Sequence, residues 1–266
     1  MTPRALAYAE LTRIQFRTAL AYRANYLIGF VGVLVQIYLL RTVWTAVYDG
    51  RPSVGGVTLE TAVVYSTLAV VQYALFVPYN FSQIPQRVRD GKVAMDLLRP
   101  VGFVSQAIAG QAGVTLALLP LAALSLPFAM LLGGIRPPAG AGATLGYLVS
   151  LVLAYVVTTQ LSVVVGCLAF WTIEVNGIYM IYRTVAQFLS GALVPLWVMP
   201  DWLVTTVHLL PFQATAYSPT AIYVGQLRGG DMLAAIGVQA MWIVALAVLA
   251  WWVWSRTIHR VVVQGG

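Results

Sequence analysis

Charge is the scarcest property of this chain. Asp, Glu, Lys and Arg make up 9% of its 266 residues, against roughly 25% in soluble domains. A water-soluble fold of this length has too little charge to cover its surface. Lysine is nearly missing, with Lys92 the only one. A nucleotide-hydrolysing P-loop needs Gly-x-x-x-x-Gly-Lys-Ser/Thr, because backbone amides cradle the phosphates while the lysine reaches them. Around Gly91-Lys92, Gln86 replaces the first glycine and Val93 the hydroxyl residue. ATP hydrolysis through such a loop is excluded.

Histidine and cysteine are almost as rare: His208, His259 and Cys167. One thiol forms no internal disulfide, and metal sites need clustered His, Cys or carboxylates. The two histidines are expected on opposite membrane faces, and Cys167 as a small residue packed between helices. No nucleophile stands with a base in an arrangement that points to catalysis. The chain is expected not to be an enzyme and to hold no cofactor. A cleavable signal peptide is not expected, because Arg4, Glu10, Arg13 and Arg17 interrupt the first 22 residues.

Apolar sequence fills the rest. Hydrophobic residues make up 60% of the chain, in runs long enough to span a bilayer. Each span needs roughly 20 residues. The expected fold is all-α and integral to the membrane, a single transmembrane domain over residues 1–266. About six spans are read, near 26–47, 59–84, 104–132, 145–171, 177–198 and 232–254. Residues 1–23 are read as an interfacial helix, since Glu10, Arg13 and Arg17 share one face. Asp49-Gly50-Arg51-Pro52-Ser53 and the Gly/Pro-rich stretch 133–142 are turns. Pro78, Asn80 and Pro85 interrupt the inner end of the second span. Pro200, Pro211 and Pro219 cut residues 199–230 into pieces too short to cross. That stretch is read as a shallow re-entrant hairpin or surface cap.

The 15 basic residues outnumber the 8 acidic ones. They sit in short patches between apolar runs, which sets membrane orientation rather than nucleic-acid binding. Arg4, Arg13, Arg17, Arg23, Arg87, Arg89, Lys92, Arg99, Arg256 and Arg260 fall on one side, against Arg51, Arg136 and Arg228 on the other, with Arg41 near that end of the first span. Both termini and the 86–100 loop are therefore expected in the cytoplasm, with 199–230 outside. Trp197 and Trp202 are placed in an outer aromatic belt, and Trp251, Trp252 and Trp254 in an inner one.

Glu174 and Arg183 are the ionisable residues nearest membrane depth. They read either as snorkelling side chains or as a paired charge lining a cavity. Gln36, Gln72, Asn80, Gln160 and Gln187 read first as helix–helix glue. Tyr38, Tyr73, Tyr79 and Trp171 are aromatic groups able to hold a flat or cationic solute. The candidate cavity or gate set is Tyr73, Tyr79, Asn80, Glu174, Arg183 and Gln187.

The most hydrophilic internal segment runs Gln86-Arg87-Val88-Arg89-Asp90-Gly91-Lys92-Val93-Ala94-Met95-Asp96-Leu97-Leu98-Arg99-Pro100. Gly91 suits a left-handed helix end. Residues 93–98 suit a second short helix that Pro100 stops. This segment resembles the cytoplasmic loop of type-two ABC exporter permeases, in the viologen-exporter-like or uncharacterised branch. Three further pieces are similar to that family. They are Ser190-Gly191-Ala192-Leu193-Val194-Pro195-Leu196 with Pro200-Asp201-Trp202-Leu203, then Leu210-Pro211-Phe212 through Pro219 and Gly225, and the terminal Val262-Val263-Gln264-Gly265-Gly266.

The resemblance implies an ABC transporter permease subunit in a bacterial cytoplasmic membrane. It would work with two separate ATPase subunits that carry the ATP and Mg, and with a second permease, identical or homologous. Membrane lipid is a further contact, and nucleic acid is not. The family's coupling helix maps onto the 86–100 loop. There Val93, Met95, Leu97 and Leu98 would seat in an ATPase groove, with Arg87, Arg89, Asp90, Asp96 and Arg99 fixing orientation around the Gly91 turn. The expected cargo is a small hydrophobic or cationic compound moving outward. Two other readings stay open: a membrane anchor that recruits a soluble partner without transport, and a secondary transporter. The latter is weakened by the absence of an inverted repeat and of a conspicuous buried carboxylate.

Overall fold

The structure, a computed structural model, describes residues 3–77, 82–132, 134–172 and 175–258. Expectations that rest on Pro78, Tyr79, Asn80, Glu174 and the terminal 262–266 lie outside the described residues. The described elements are α1 (Pro3–Ala21), α2 (Arg23–Tyr48), α3 (Leu59–Phe76), α4 (Ile84–Arg89), α5 (Val93–Leu97), α6 (Phe103–Leu131), α7 (Ala141–Cys167), α8 (Val175–Leu189), α9 (Asp201–His208), α10 (Tyr217–Tyr223) and α11 (Gly229–Thr257). Short 3-10 turns follow α7 (Leu168–Phe170) and α8 (Leu196–Val198), and a third, Pro211–Ala214, sits between α9 and α10. No strand is found among the described residues.

Five of these helices are long and apolar enough to cross a membrane: Ala24–Tyr48, Leu59–Phe76, Phe103–Leu131, Ala141–Phe170 and Gly229–Thr257. The chain is an all-helical, multi-pass membrane protein. The run expected as a further span, 177–198, is built differently. Its helix, α8, has 15 residues, about 22 Å of rise against a hydrocarbon core of about 30 Å. Gly191 then turns the backbone at φ +80° in a pocket between Leu196 and the Tyr65 hydroxyl, where a Cβ has no room. The residues that follow are apolar but not α-helical.

Local chemistry accounts for the helix ends. Thr58 caps α3, its hydroxyl accepting from the Thr61 amide, and Glu60 sits in the first turn, where the helix dipole favours an anion. Glu60 also pairs with Arg136, in the loop between α6 and α7. In α11 Asp231 opens the helix and Arg256 lies in its last turn, again matching the dipole.

α3 is the buried axis of the bundle, with every residue from Ala62 to Tyr73 buried. Around it pack α7, α11 and the segment from Leu189 to Tyr217, with Tyr65, Tyr73, Phe76, Ala154, Val157 and Leu246 in one cluster. Small residues bring helices close, as membrane packing requires. Gly146 of α7 leaves no space for a Cβ against Met232 of α11. Gly113 of α6 sits against the Thr12 carbonyl of α1. The Thr12 hydroxyl also donates to Ala109 O at 3.0 Å, so α1 is docked along the first half of α6. Trp202, Trp251 and Trp252 are exposed, as belt residues are, but Trp197 packs edge-on against Tyr65 and Trp254 stacks on Phe103.

The non-helical backbone around Gly191 and Ala214 is buried in protein. Its carbonyls accept hydrogen bonds from side chains of the long helices. Tyr65 Oη donates to Gly191 O at 2.9 Å, and Gln72 Nε2 to Thr215 O at 2.5 Å. Gln239 Nε2 donates to Ala214 O at 2.8 Å and to Ser150 O at 3.0 Å, while its Oε1 accepts from the Ser150 hydroxyl at 2.8 Å. Gln72 lies in the last third of α3, so the Pro211–Ala214 turn reaches well inside the bundle rather than resting on its rim. Irregular backbone survives at membrane depth only when paired in this way.

Gln239 is fully buried and joins α7, α11 and this turn. Gln239→Leu should therefore destabilise the fold by about 1–2 kcal/mol, because the Ala214 carbonyl and the Ser150 hydroxyl lose this partner. Unfolding in mixed micelles measures this. An unchanged midpoint would show that the network contributes nothing.

Candidate functional site

Two features carry chemistry: the loop between α3 and α6, and a cavity beside α8. The loop starts with Pro85 in the first turn of α4, where its missing donor costs nothing. α4 ends in a Schellman turn. The Lys92 amide bonds back to Arg87 O and the Gly91 amide to Val88 O, with Gly91 at φ +65°. Asp90 is tied to the same turn by Gln86 Nε2 at 2.7 Å and Lys92 Nζ at 2.8 Å. The Lys92 ammonium, chiefly by its hydrogen bond, holds the Asp90 carboxyl below its ordinary range. That contribution is present above the unfolded pKa and lost as pH falls through the folded one, so the turn does not change near neutral pH.

α5 has five residues and two faces. Val93 and Asp96 point inward. Val93 packs with Ile84, Phe103, Val163, Cys167 and Ala250, so it belongs to the core and not to the outward face on which it was expected. Met95 is 71% exposed and Leu98 86%, with Leu97 at 37% beside them. The outward side of the loop is therefore an apolar patch in a chain whose polar residues are few.

Asp96 fixes that presentation. Its side chain is 3% exposed, accepts a hydrogen bond from Arg87 Nη1 at 2.5 Å and forms an ion pair with Arg99 Nη1 at 3.4 Å. Gln106 of α6 donates to Asp96 O at 2.8 Å and to Val101 O at 3.0 Å, and its Oε1 accepts from Arg99 at 3.2 Å. Of the charges expected to orient a partner, Arg87, Asp96 and Arg99 are thus joined to one another, while Arg89 is exposed. Gln106 was not foreseen as part of this node. Its only trace in the sequence is an amide one turn inside an apolar helix.

The cavity holds about 350 Å³ and lies between α2, α3, α6 and α8, walled by apolar residues such as Phe30, Val33, Val70 and Leu118. Tyr73, Arg183 and Gln187 from the expected set are brought together on it, joined by Gln36, Tyr26 and Ser125. The Tyr73 hydroxyl donates to Arg183 O at 3.0 Å, which pins α8 to α3. Arg183 and Gln187 also border a wider cleft of about 1300 Å³ that opens beside the loop, among Gln15, Gln83, Arg87, Arg89, Lys92 and Arg99. Cavity and loop are therefore neighbours through α8. Tyr38 and Trp171 are exposed on the outer surface instead. Gln72 and Gln160 serve as glue, the latter donating to Ile243 O at 3.1 Å.

The described residues thus form a multi-span helical bundle with an apolar patch displayed on a braced loop and a cavity close by. The chain belongs to the ABC-2 family transporter proteins, whose family model matches residues 33–265. It is a membrane subunit of the ABC transporter class, whose members work with an ATP-binding cassette ATPase. No curated protein matches it.

Asp96→Ala leaves Arg87 and Arg99 without their carboxylate and unlocks the loop. Trypsin should then cut after Arg87, Arg89 and Lys92 faster by about tenfold, the factor that corresponds to about 1.4 kcal/mol of local opening. Cutting rates equal to wild type would show that the node does not brace the loop.

Proposed function

We propose that this chain is the permease half of an ABC exporter in a bacterial cytoplasmic membrane, driven through the 86–100 loop by a pair of ATPase subunits. The observation that carries the reading is the exposed Met95-Leu97-Leu98 patch, held outward by the buried Asp96 node. Interface energy concentrates in a few desolvated anchors, and a patch presented on a rigid base loses little entropy on docking. In this reading both termini and the loop face the cytoplasm, and the segment from α9 to α10 faces outward as a gate. α8 together with the turn after it completes a sixth crossing. A second permease, identical or homologous, supplies the other half of the pathway.

ATP binding on the partner closes the ATPase dimer and moves α5. The displacement passes by two routes. Gln106 connects α5 to the start of α6, and Val93 connects it to α7 and α11 through Val163 and Ala250. Packed helices have discrete arrangements, so a small push at one end converts into a rigid tilt at the other. ATP and Mg stay on the partner.

The cavity wall is mainly apolar, which supports a hydrophobic cargo. A cationic or viologen-like cargo would meet Arg183 at the cavity's border with the cleft and be repelled.

Leu97→Asp and Leu98→Asp together place charge on the patch without touching Asp96. Copurification of the cognate ATPase should be lost, and with it cargo-stimulated ATP turnover. Full retention of both would rule out this loop as the coupling element.

A further inference from the structure

We infer that the cavity beside α8 binds an amphiphile with an anionic head, the head held by Arg183 and the apolar body lying between α2, α3 and α6. This inference rests on the permease reading and narrows its cargo. Among the described residues that line the cavity, Arg183 is the only charged side chain. No described acidic residue lies within ion-pair distance of it. A guanidinium at the edge of an apolar, low-dielectric space attracts an anion far more strongly than in water, and its fork of donors fits a carboxylate or phosphate. Gln36 and Gln187 add neutral polar groups on the same wall.

The approach has the same sign. The cleft that shares Arg183 and Gln187 with the cavity is lined by Arg87, Arg89, Lys92 and Arg99, with Asp90 the only acidic group among its described lining residues. Arg87 and Arg99 are partly offset by Asp96, and Lys92 by Asp90. Arg89 is exposed and in no such pair among the described residues. One sign of charge lining a cleft concentrates ions of the other sign. The cavity's size also falls in the range of small-molecule sites, roughly 300–1,000 Å³. An anionic amphiphile would thus enter through the basic cleft and lodge its apolar part against Phe30, Val33 and Leu118.

Three probes with the same twelve-carbon chain separate head charge from hydrophobicity: laurate, dodecanol and dodecyltrimethylammonium. The full-length chain is placed in phosphatidylcholine nanodiscs, and radiolabelled laurate binding is measured. Laurate should bind saturably, and each of the other two probes should compete at least about tenfold less well. Arg183→Gln should weaken laurate by a similar factor, whereas Arg183→Lys should keep most of the affinity. Equal competition by all three probes on the wild-type chain would overturn the inference, and that comparison needs no variant to fold. Unchanged laurate affinity in a monodisperse Arg183→Gln protein would overturn it too.

Adding phosphatidylglycerol to the discs distinguishes two sources of the same head chemistry. Reduced laurate binding identifies a bilayer lipid as an occupant, and unchanged binding identifies a separate amphiphile. Both outcomes require an anionic head. ATPase copurification with the same chain is read in parallel. If the ATPase binds and head charge has no effect, this inference fails while the permease reading stands. If laurate binds as described and no ATPase associates, the permease reading fails.

Discussion

Hydrocarbon offers no hydrogen bonds, and this chain brings many backbone and side-chain polar groups to membrane depth. The backbone groups above all must find their partners inside the protein. The long helices satisfy their own backbones. The backbone after α8 does not, and it is held by Tyr65, Gln72 and Gln239 reaching from α3 and α11 to the carbonyls of Gly191, Thr215 and Ala214. These few side chains let the chain depart from helix without exposing amides to lipid. Much of the rest follows from them: the short α8, the turn that dips into the bundle, and the burial of α3 on all sides.

Burial within protein makes a related demand at the 86–100 loop. Asp96 is a buried carboxylate, and it is tolerated because Arg87 hydrogen-bonds one oxygen and Arg99 pairs with the other. The pair contributes less to net stability than its geometry suggests, since desolvation offsets much of the attraction. Its consequence is positional. With Asp96 and Val93 turned inward, the other side of a five-residue helix has to carry Met95 and Leu97 outward, followed by Leu98. Asp96, expected from the sequence among the groups that orient a partner, pairs within the loop with Arg87 and Arg99. Arg183 is the contrast. It borders the cavity with no described acidic partner in ion-pair distance.

Apolar runs and their breaks made most of the bundle legible beforehand. α2, α6, α7 and α11 fall within a few residues of their expected bounds, and Gly91 ends α4 as its chemistry suggested. The length of α8 was not legible. Ser190-Gly191-Ala192-Leu193-Val194 is as apolar as a helix interior, and the break depends on the Tyr65 hydroxyl, 126 positions away in sequence, meeting Gly191. The inward face of α5 was hidden for a related reason. Five residues are too few to display a period, so only the packing against Phe103 and Val163 decides that Val93 is core. At the cavity, Tyr73, Arg183 and Gln187 could be picked out as polar groups in apolar surroundings. Gln36, read first as helix–helix glue, joins them with Tyr26 and Ser125 through the way α2 and α6 lie beside α8.

A cross-link from the loop tests the central claim most directly. Cys167 is buried, so Leu98→Cys introduces a single accessible thiol at the centre of the patch. With the cognate ATPase coexpressed in native membranes, a short bifunctional reagent should join the Leu98→Cys chain to the ATPase. The yield should change when ATP is added. A thiol placed at the other end by Leu209→Cys should give no such product. Absence of any ATPase adduct from Leu98→Cys, or equal adducts from both positions, would contradict the account of this loop as the place where ATP-driven motion enters the membrane subunit.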